Sequence, residues 1–363
     1  MIPDVLIDKQ GTILLTSSKR DVIVIGASLG GMEALKVLFS CLPQDLAASI
    51  LVVWHMPAQA ENLLPNILNR VTPLKVTVAK DGEAIKPGCA YIAQPNFHLV
   101  VVPDENSEAS LRLTHGPKEN NFRPSIDVLF RSAALAMGER VIGVVLTGLL
   151  DDGASGLYAI KQCGGLAIVQ NPIDAQAPNM PINAMRAVEV DHVVPIAEMG
   201  ALLTQLVNNS VQGGGAPVPR KNTSDHLQTE VRVALEEDDL KQDIIELGDF
   251  SPYTCPECHG SLVQIMEGNT TRFRCHTGHA FTLDTLLSAI TEKCEATLWS
   301  AVRVLQESEL LTEHLSNHFR ELGDHEISQI YLQKKAHIMH QAKLVRQAIL
   351  KDEDEVQINQ SHF

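Results

Sequence analysis

The fold is decided by the stretch from residue 21 to residue 39, which reads DVIVIGASLGGMEALKVLF. Its first part is an apolar run rich in Val and Ile, which is typical of a strand buried in a parallel sheet. Its last part has the apolar pattern of an amphipathic helix. Small residues fill the turn between them, at positions 26–31. A strand that passes through such a turn into a helix is the building unit of an α/β fold.

The same alternation continues on the C-terminal side of this stretch. Further apolar strands and helical patterns follow one another, at 49–54, 60–71, 124–138, 141–148, 154–164 and 165–170. This order predicts a doubly wound, Rossmann-like parallel sheet within a domain at 21–208. Four short strand patterns at 75–115 are separated by turn residues, and we expect them to form a β-meander or hairpin inserted at one end of the sheet.

The remainder of the chain is organised differently. Gly, Pro, Ser and Asn followed by an acidic run predict a flexible linker, and apolar residues three and four positions apart, with a break near Gly323-Asp324, predict an α-helical hairpin. The predicted segments are an N-terminal extension (1–20), the acidic linker (209–250), a small Cys/His module (251–282), the hairpin (283–350) and an acidic disordered tail (351–363).

Charge and composition exclude several classes of function. The 363 residues carry a net charge of −15, which argues against binding to nucleic-acid phosphates or to an anionic membrane surface. Residues 221–363 hold 24 of the 44 acidic residues but only 13 of the 29 basic ones. The sequence has no apolar run of about 18 residues and no signal peptide, so we expect a cytoplasmic protein without membrane insertion.

The turn at 26–31 has two interpretations. A dinucleotide-binding turn needs glycine where this chain has Ser28, and an acidic residue at the end of the second strand, where this chain has His55. A nucleophile turn instead uses small residues to expose a serine hydroxyl. Both departures from the first pattern favour the second, in which Ser28 would need a histidine as its base.

A histidine and two acidic residues follow neighbouring predicted strands. His55 comes directly after the strand at 49–54, and Asp151 and Asp152 follow the strand at 141–148. The carboxyl ends of parallel strands share one edge of a sheet, so these side chains and Ser28 should meet there. Taken singly, the serine could cap a helix and the aspartates could begin one. Taken together, they predict a Ser-His-Asp hydrolase.

With these residues in place, the sequence resembles the catalytic domain of the bacterial chemotaxis protein-glutamate methylesterases, the CheB family. The resemblance covers about residues 21–208. It rests on the motifs VIGASLGGMEAL, WHMP, DGEAIKPGCAYIA, NNFRPSIDVLF and VLTGLLDDGASG. It implies that Ser28 is the nucleophile, His55 the general base and Asp152 the orienting acid, with Asp151 as a neighbour. It also implies that a backbone N–H near Leu149 belongs to the oxyanion hole.

The implied reaction is hydrolysis of glutamate γ-methyl esters on the cytoplasmic helices of methyl-accepting chemoreceptors. Methanol is the product, glutamine deamidation is a second implied activity, and catalysis needs no cofactor. Only about 20 residues precede the predicted domain, so we expect a stand-alone form without the family's usual receiver domain. Leu29 after the serine, and Leu149-Leu150-Asp151 before the acid, depart from the family pattern. The alternative is a catalytically silent module that recognises receptor helices or another signalling protein; a Ser28–His55 separation too long for a hydrogen bond would favour it.

We expect structural roles for two further features, the segment 123–127 and His115. The segment Arg123-Pro124-Ser125-Ile126-Asp127 also matches a family motif, but it reads as a helix start, with Asp127 in the first turn. His115 is likewise expected to be structural.

The Cys/His module predicts a structural zinc ribbon. Cys255 and Cys258 form a CxxC turn, and a second pair lies at least 17 residues later. Two such pairs can complete the tetrahedral sulfur and nitrogen shell of Zn²⁺. We predict Cys255, Cys258, Cys275 and His279 as the ligands, with His276 as the alternative to His279. A redox CxxC is the other interpretation, but no thioredoxin-like βαβ pattern surrounds it.

Overall fold

The computed structural model describes residues 6–7, 13–14, 19–103, 109–209, 221–238 and 240–360. Within these ranges the strands are β1 (Leu6–Ile7), β2 (Ile13–Leu14), β3 (Val22–Ala27), β4 (Ser49–Trp54), β5 (Lys75–Val78), β6 (Cys89–Ile92), β7 (His98–Pro103), β8 (Ala109–Thr114), β9 (Val141–Val145), β10 (Leu166–Gln170), β11 (His192–Val194), β12 (Asp249–Thr254), β13 (Ser261–Glu267), β14 (Thr270–Cys275) and β15 (Ala280–Thr282). The helices are α1 (Gly31–Ser40), α2 (Leu64–Leu68), α3 (Ile126–Met137), α4 (Ala154–Gln162), α5 (Asn179–Ala187), α6 (Ile196–Asn208), α7 (Lys221–Ala234), α8 (Lys241–Ile245), α9 (Leu283–Glu321) and α10 (His325–Gln360).

A seven-stranded parallel sheet forms the centre of the molecule, in the order β11-β10-β9-β3-β4-β6-β5. The first long strand, β3, is central, and the chain adds strands on one side of it before crossing to the other. Such a reversal opens a crevice at the carboxyl ends of the middle strands. The predicted doubly wound α/β fold is confirmed, and Ser28 follows β3 at this crevice.

Two apolar layers cover the faces of this sheet. One contains buried side chains of α3, α4 and α5, and the other contains those of α1, α2 and α6. All six residues of β3 are buried, as is typical of a strand covered on both faces. Gly26 has no room for a side chain, since an added Cβ would lie 2.3 Å from Ile126 of α3. The packing therefore holds the start of α3 directly against β3.

The segment at 75–115 differs in part from the prediction. Strands β7 and β8 form the expected antiparallel hairpin. Strands β5 and β6 do not belong to an inserted meander, because they pair in parallel with each other and, through β6, with β4 of the central sheet. Four residues each are too few to show whether a strand is buried on one face or on two.

The segment at 209–250 also differs from the predicted flexible linker. Its described part contains α7 and α8, and α7 places Leu227, Val231 and Ala234 in the apolar layer beside α3. These three residues lie four and three positions apart, which is the spacing of one helical face. Their pattern is masked in the sequence by the surrounding acidic and polar residues.

Two long helices, α9 and α10, form the C-terminal part of the chain, and the break between them lies at the predicted Gly323-Asp324. The chain divides into one compact unit up to Leu286 and a second from Leu287 onward. In the second unit the two helices contact each other through Ser316 Oγ, 3.0 Å from the Ser328 carbonyl oxygen, and through the stacked rings of Phe319 and Tyr331. The helical backbone continues to residue 360, beyond the predicted end at 350. Among the described helices, none combines the length and the apolarity that crossing a bilayer requires.

Candidate active site

Neighbouring strands fix the Ser28 turn through its backbone. The Ser28 amide donates to the Thr147 carbonyl oxygen at 3.0 Å, and the Ser28 carbonyl oxygen accepts from Trp54 Nε1 at 3.0 Å. The first contact comes from the end of β9 and the second from the end of β4. Gly148 leaves space for the serine, since an added Cβ there would lie 2.8 Å from Ser28 Cβ. The serine is therefore held at the carboxyl edge of the sheet by both adjacent strands.

His55 is positioned by three contacts. Its amide donates to the Ala27 carbonyl oxygen at 3.0 Å. Its Nε2 lies 2.8 Å from Asp152 Oδ2, and its ring stacks on Phe122 with a centroid distance of 3.6 Å. Facing a carboxylate, Nε2 is the nitrogen that carries the proton of the neutral ring, which leaves the lone pair on Nδ1. His55 Nδ1 is buried and has no hydrogen-bond partner among the described residues.

Asp152 precedes α4 in the chain, and its buried carboxylate lies against the N-terminus of α3. Besides His55, its carboxylate accepts hydrogen bonds from Ser125 Oγ (2.8 Å), Asn120 Nδ2 (2.9 Å) and the Ile126 amide (2.7 Å). Burial of Asp152 raises its pKa. The hydrogen bond and the charge of His55, together with the hydrogen bonds from Asn120 and the Ile126 amide, have the larger opposite effect and lower this pKa to about 2. The residue is therefore a carboxylate at neutral pH and can stabilise an imidazolium.

A second buried carboxyl, Asp127, lies beside Asp152. Its Oδ1 accepts from the amides of Gly153 (3.0 Å) and Gly156 (2.6 Å), at the start of α4. Burial and the charge of Asp152 raise the pKa of Asp127 to about 8. The predicted helix start at this motif is confirmed, since α3 begins at Ile126. The motif also contributes to the site, which was not predicted: the Ser125 hydroxyl and the first two amides of α3 donate hydrogen bonds to Asp152.

Ser28 and His55 line one open cavity of about 600 Å³ at this edge. Its wall combines apolar side chains with cationic ones, among them Trp54, Phe122, Lys118 and Arg123. Arg123 is held in place by Asn96 Oδ1 and by the carbonyl oxygens of residues 115 and 116. The cavity thus combines the Ser28 hydroxyl and the His55 ring with the Arg123 guanidinium and with Lys118, whose ammonium group also pairs with Glu257 at 3.3 Å.

The predicted site residues are brought together to different degrees. Asp152, and not Asp151, contacts His55; Asp151 instead accepts from Thr282 Oγ1 at 2.8 Å. Ser28 Oγ makes no hydrogen bond to His55 in this structure, which is the geometry named above for the non-catalytic alternative. Such bonds are often long in free enzymes and shorten when substrate binds. Leu149 is 51% exposed and is not among the residues lining the cavity, so its oxyanion role stays a prediction.

The Cys/His module brings together the side chains of Cys255, Cys258, Cys275 and His279. One ligand atom from each lies within 4.8 Å of the others, and the Cys258 and Cys275 sulfurs are 3.6 Å apart. Two thiolates bound at about 2.3 Å in a tetrahedral shell are about 3.8 Å apart, so these residues fit Zn²⁺. His276 is not part of this group, and its ring packs against Gly260, where an added Cβ would lie 2.4 Å from the ring. The geometry therefore supports His279 as the fourth ligand.

Sequence reasoning missed Asn120 and Phe122, which contact Asp152 and His55. A usable signal was the pair Asn120-Asn121, because both residues adopt positive φ (53° and 70°), which asparagine tolerates better than most residues. Two adjacent asparagines before a helix start therefore indicated a tightly shaped loop, although not its contacts.

Comparison with known proteins identifies related chains. Residues 23–203 match the family model described as CheB methylesterase. A Leptospira interrogans protein, provisionally named protein-glutamate methylesterase/protein-glutamine glutaminase, is 38% identical over 192 residues, which are 53% of this chain and 97% of that protein. A Methanosarcina acetivorans protein with the same two activities in its name is 37% identical over 202 residues, which are 55% of this chain and 57% of that protein.

A solved structure is also similar to part of this chain. The crystal structure of the Thermotoga maritima CheB methylesterase catalytic domain is 33% identical, with a TM-score of 0.51. The match covers 52% of this chain and all of that domain. The residues matched to the family model, 23–203, include the central sheet and most of its helices.

Proposed function

Because this chain belongs to the CheB methylesterase family, we propose that it hydrolyses the γ-methyl esters of glutamate side chains in proteins. The observation that carries the proposal is the placement of His55. Its Nε2 contacts the Asp152 carboxylate, its buried Nδ1 has no hydrogen-bond partner among the described residues, and the residue lines the same cavity as Ser28. The names of the relatives support the same activity and add glutamine deamidation as a second one. A dinucleotide-binding function has no support from these comparisons.

The proposed mechanism follows from the direction of each contact. Ser28 Oγ attacks the ester carbonyl carbon while His55 Nδ1 takes the serine proton. The Asp152 carboxylate stabilises the resulting imidazolium through Nε2. The imidazolium then gives its proton to the leaving oxygen, and methanol departs from an acyl-enzyme. Water, activated by His55, attacks this acyl-enzyme and releases the glutamate carboxylate and free Ser28.

The charge that develops on the carbonyl oxygen needs backbone N–H donors. We assign the Leu149 amide to this role from the family pattern; it follows Gly148, which packs against Ser28 Cβ. One such donor contributes about 3–4 kcal/mol in other enzymes. None of these steps uses a cofactor.

The proposed substrate is a methyl-accepting chemoreceptor, on its cytoplasmic helices. Lys118 and Arg123 at the cavity suit a helix that carries unmodified glutamates beside the methylated one. This assignment places the protein in the cytoplasm. The silent module that only recognises such helices is the second candidate, and the absent Ser28–His55 hydrogen bond favours it.

Methanol release from a methylated receptor fragment tests the esterase directly. The wild-type chain should release methanol, and Ser28→Ala should not. Thr16→Ala, which lies outside the predicted catalytic domain, is a control for handling of the variant protein. Equal rates for the wild type and Ser28→Ala would reject the esterase, and retained binding of the fragment would then support the silent module.

The Cys/His module is proposed to hold one structural Zn²⁺ through Cys255, Cys258, Cys275 and His279. Four protein ligands leave no open position, which is typical of a structural site. Metal analysis of the purified chain should give about one zinc per chain. A chain isolated under reducing conditions without bound metal would contradict the assignment.

A further inference from the structure

The loop at residues 118–123, between β8 and α3, contacts two members of the proposed triad. Asn120 Nδ2 donates to Asp152 Oδ1 at 2.9 Å and to Asp127 Oδ2 at 2.8 Å. Two positions later, the Phe122 ring stacks on His55. This loop therefore touches both the orienting acid and the base.

The same loop is held from its other side by the Cys/His module (251–282) and by Thr285, which follows the module by three residues. The Asn120 amide donates to the Ala280 carbonyl oxygen at 2.8 Å. The side-chain oxygen of Asn120 accepts from the Thr282 amide at 3.2 Å and from Thr285 Oγ1 at 3.4 Å. The two threonines also bond to each other, since the Thr282 amide lies 2.7 Å from Thr285 Oγ1 and the two hydroxyls are 2.8 Å apart. Asn120 and Thr285 are both buried. The Asn120 side chain therefore connects the proposed triad acid, which its nitrogen contacts, with the module, which its oxygen contacts.

These contacts determine which way the Asn120 amide faces. Its NH₂ group must point at Asp152, because an amide oxygen in that place would repel this carboxylate. Rotating the amide by 180° would also turn its NH₂ group toward the Thr282 N–H, so donor would face donor. The module therefore disfavours the rotated Asn120 amide, and Asp152 Oδ1 keeps its hydrogen bond from the Asn120 NH₂ group.

A buried cluster of charges joins the module firmly to the catalytic domain. Arg274 of β14 contacts Glu119 at 2.7 Å and Glu230 at 2.9 Å, and Arg272 contacts Glu230 at 2.8 Å. Arg131 of α3 pairs with the same two glutamates. All five side chains are at most 3% exposed. Loss of one member would leave an unpaired buried charge, so the module and the loop form one structural element.

We propose that Asn120 is a positioning residue of the esterase, and that the Cys/His module acts on catalysis by fixing the Asn120 amide through Thr282 and Thr285. The proposal rests on the proposed function. Asn120 touches no reacting atom; it holds Asp152, which in turn holds the His55 ring. The module, which lies outside the residues matched to the family model, is then a part of the active-site support.

The first test compares Asn120→Gly with wild type in the full-length chain. Glycine retains the positive φ of 53° and the backbone bond to Ala280 but removes the amide. We expect kcat for methanol release to fall about 10- to 100-fold with KM nearly unchanged, because the cavity wall stays intact. The acid limb of the pH profile should move to higher pH, since a carboxylate that loses a donor holds the imidazolium proton more firmly. A purely structural role would leave this limb in place.

Asn69→Gly is the matched control. Asn69 also donates two side-chain hydrogen bonds, to the carbonyl oxygens of Pro65 and Val76, both at 2.8 Å. It should lose thermal stability without a change in kcat or in the pH profile. If Asn120→Gly does not fold, Asn120→Asp keeps the shape and the positive φ but presents an oxygen to the Asp152 carboxylate, and it should lose activity with the same unchanged KM.

The second test is a double-mutant cycle that asks whether the module acts through Asn120. Thr285→Val removes, at constant size, the hydroxyl that holds the Thr282 amide at 2.7 Å and contacts the Asn120 side-chain oxygen at 3.4 Å. It should lower kcat severalfold in the wild-type background. In the Asn120→Gly background it should have no further effect on kcat, because residues that act through one contact are not additive. Thr291→Val, whose hydroxyl bonds only to the Leu287 carbonyl oxygen of its own helix, controls for threonine replacement.

Three results would overturn the proposal. They are wild-type kcat in Asn120→Gly, an unshifted acid limb in that variant, or a full Thr285→Val effect in the double variant. Failure of the proposed function is distinguishable from these, since the wild-type chain itself would then release no methanol.

Discussion

Asp152 Oδ2 lies 2.8 Å from His55 Nε2, and this contact leaves Nδ1 as the ring nitrogen without a hydrogen bond. The proposed acid and the proposed base are therefore in contact before substrate binds, while the proposed nucleophile makes no hydrogen bond to the base. Asp152 owes its low pKa to hydrogen bonds with His55, Asn120 and the start of α3, which overcome the effect of burial. The resting site thus has a fixed imidazole tautomer and a serine held by its backbone alone.

Replacement of Asp152 by Asn should abolish most of the esterase activity. The amide NH₂ would face Nε2, so the ring proton would move to Nδ1 and the base would lose its lone pair toward the cavity. The same change in a Ser-His-Asp protease lowers kcat about 10⁴-fold, and we expect a loss of about 10³- to 10⁴-fold here. Methanol release measures it. Asp151→Asn is the matched control and should stay within about tenfold of wild type, because Asp151 contacts Thr282 rather than His55. A more severe loss in Asp151→Asn would mean that the acid has been assigned to the wrong aspartate.

Asp151 should make the fold less stable as the pH rises. Burial raises the pKa of Asp151 to about 7, above its value of about 3.9 in an unfolded chain. The folded state therefore binds the proton more tightly, and this contribution to stability is lost as the pH rises from about 4 through 7. Asp151→Asn stays neutral and keeps an oxygen for Thr282 Oγ1. Its free energy of unfolding in urea should exceed that of wild type at pH 8, and the difference should shrink at pH 5. An equal difference at both pH values would contradict the shift.

Much of this arrangement could be predicted from the sequence. The apolar strands and the small residues at 26–31 predict that Ser28, His55 and the pair Asp151-Asp152 meet at one sheet edge, because parallel strands end on the same side. The choice of Asp152 over Asp151 came from the family resemblance. Asn120 could not be predicted, since its partners lie 32 and 162 positions away and meet it only in the folded chain. The structure differs from the predicted flexible linker at α7, because the acidic and polar residues of this segment hide the helical spacing of Leu227, Val231 and Ala234.

The ligand set of the module predicts a sharp difference between its two histidines. His279→Ala should lose zinc, because His279 Nδ1 lies 3.5 Å from the Cys275 sulfur within the four-ligand group. His276→Ala should keep it. Cys258→Ser should lose zinc as well, whereas Cys294→Ser, an exposed thiol on α9, should not. Metal analysis of the four purified variants is the measurement. Zinc retained in His279→Ala and lost in His276→Ala would reverse the assignment.

Arg274 should matter far more for stability than an exposed arginine in a surface ion pair. Its guanidinium is fully buried between Glu119 and Glu230, and truncation to Met leaves both carboxylates short of a partner. Breaking a buried pair in this way costs about 3–5 kcal/mol. Arg303→Met removes a pair with Glu307 at 3.5 Å that is more than 60% exposed, and should cost less than about 0.5 kcal/mol. Urea unfolding of both variants gives the two free energies. Similar losses would show that the cluster is solvated in solution.

Gly148 should tolerate no side chain, because it separates β9 from the nucleophile. A Cβ at this position would lie 2.8 Å from Ser28 Cβ and 1.9 Å from Met180 Sδ. The methionine can rotate away, but Ser28 is held by its bonds to Thr147 and Trp54, so the alanine methyl would push the serine from its place. A displacement of about 1 Å costs roughly 10²-fold in rate, and we expect Gly148→Ala to lower kcat by about that factor. Gly116→Ala is the control, since its Cβ would meet no atom closer than 3.5 Å. A Gly148→Ala variant with wild-type methanol release would show that Ser28 Oγ does not need the position this structure gives it.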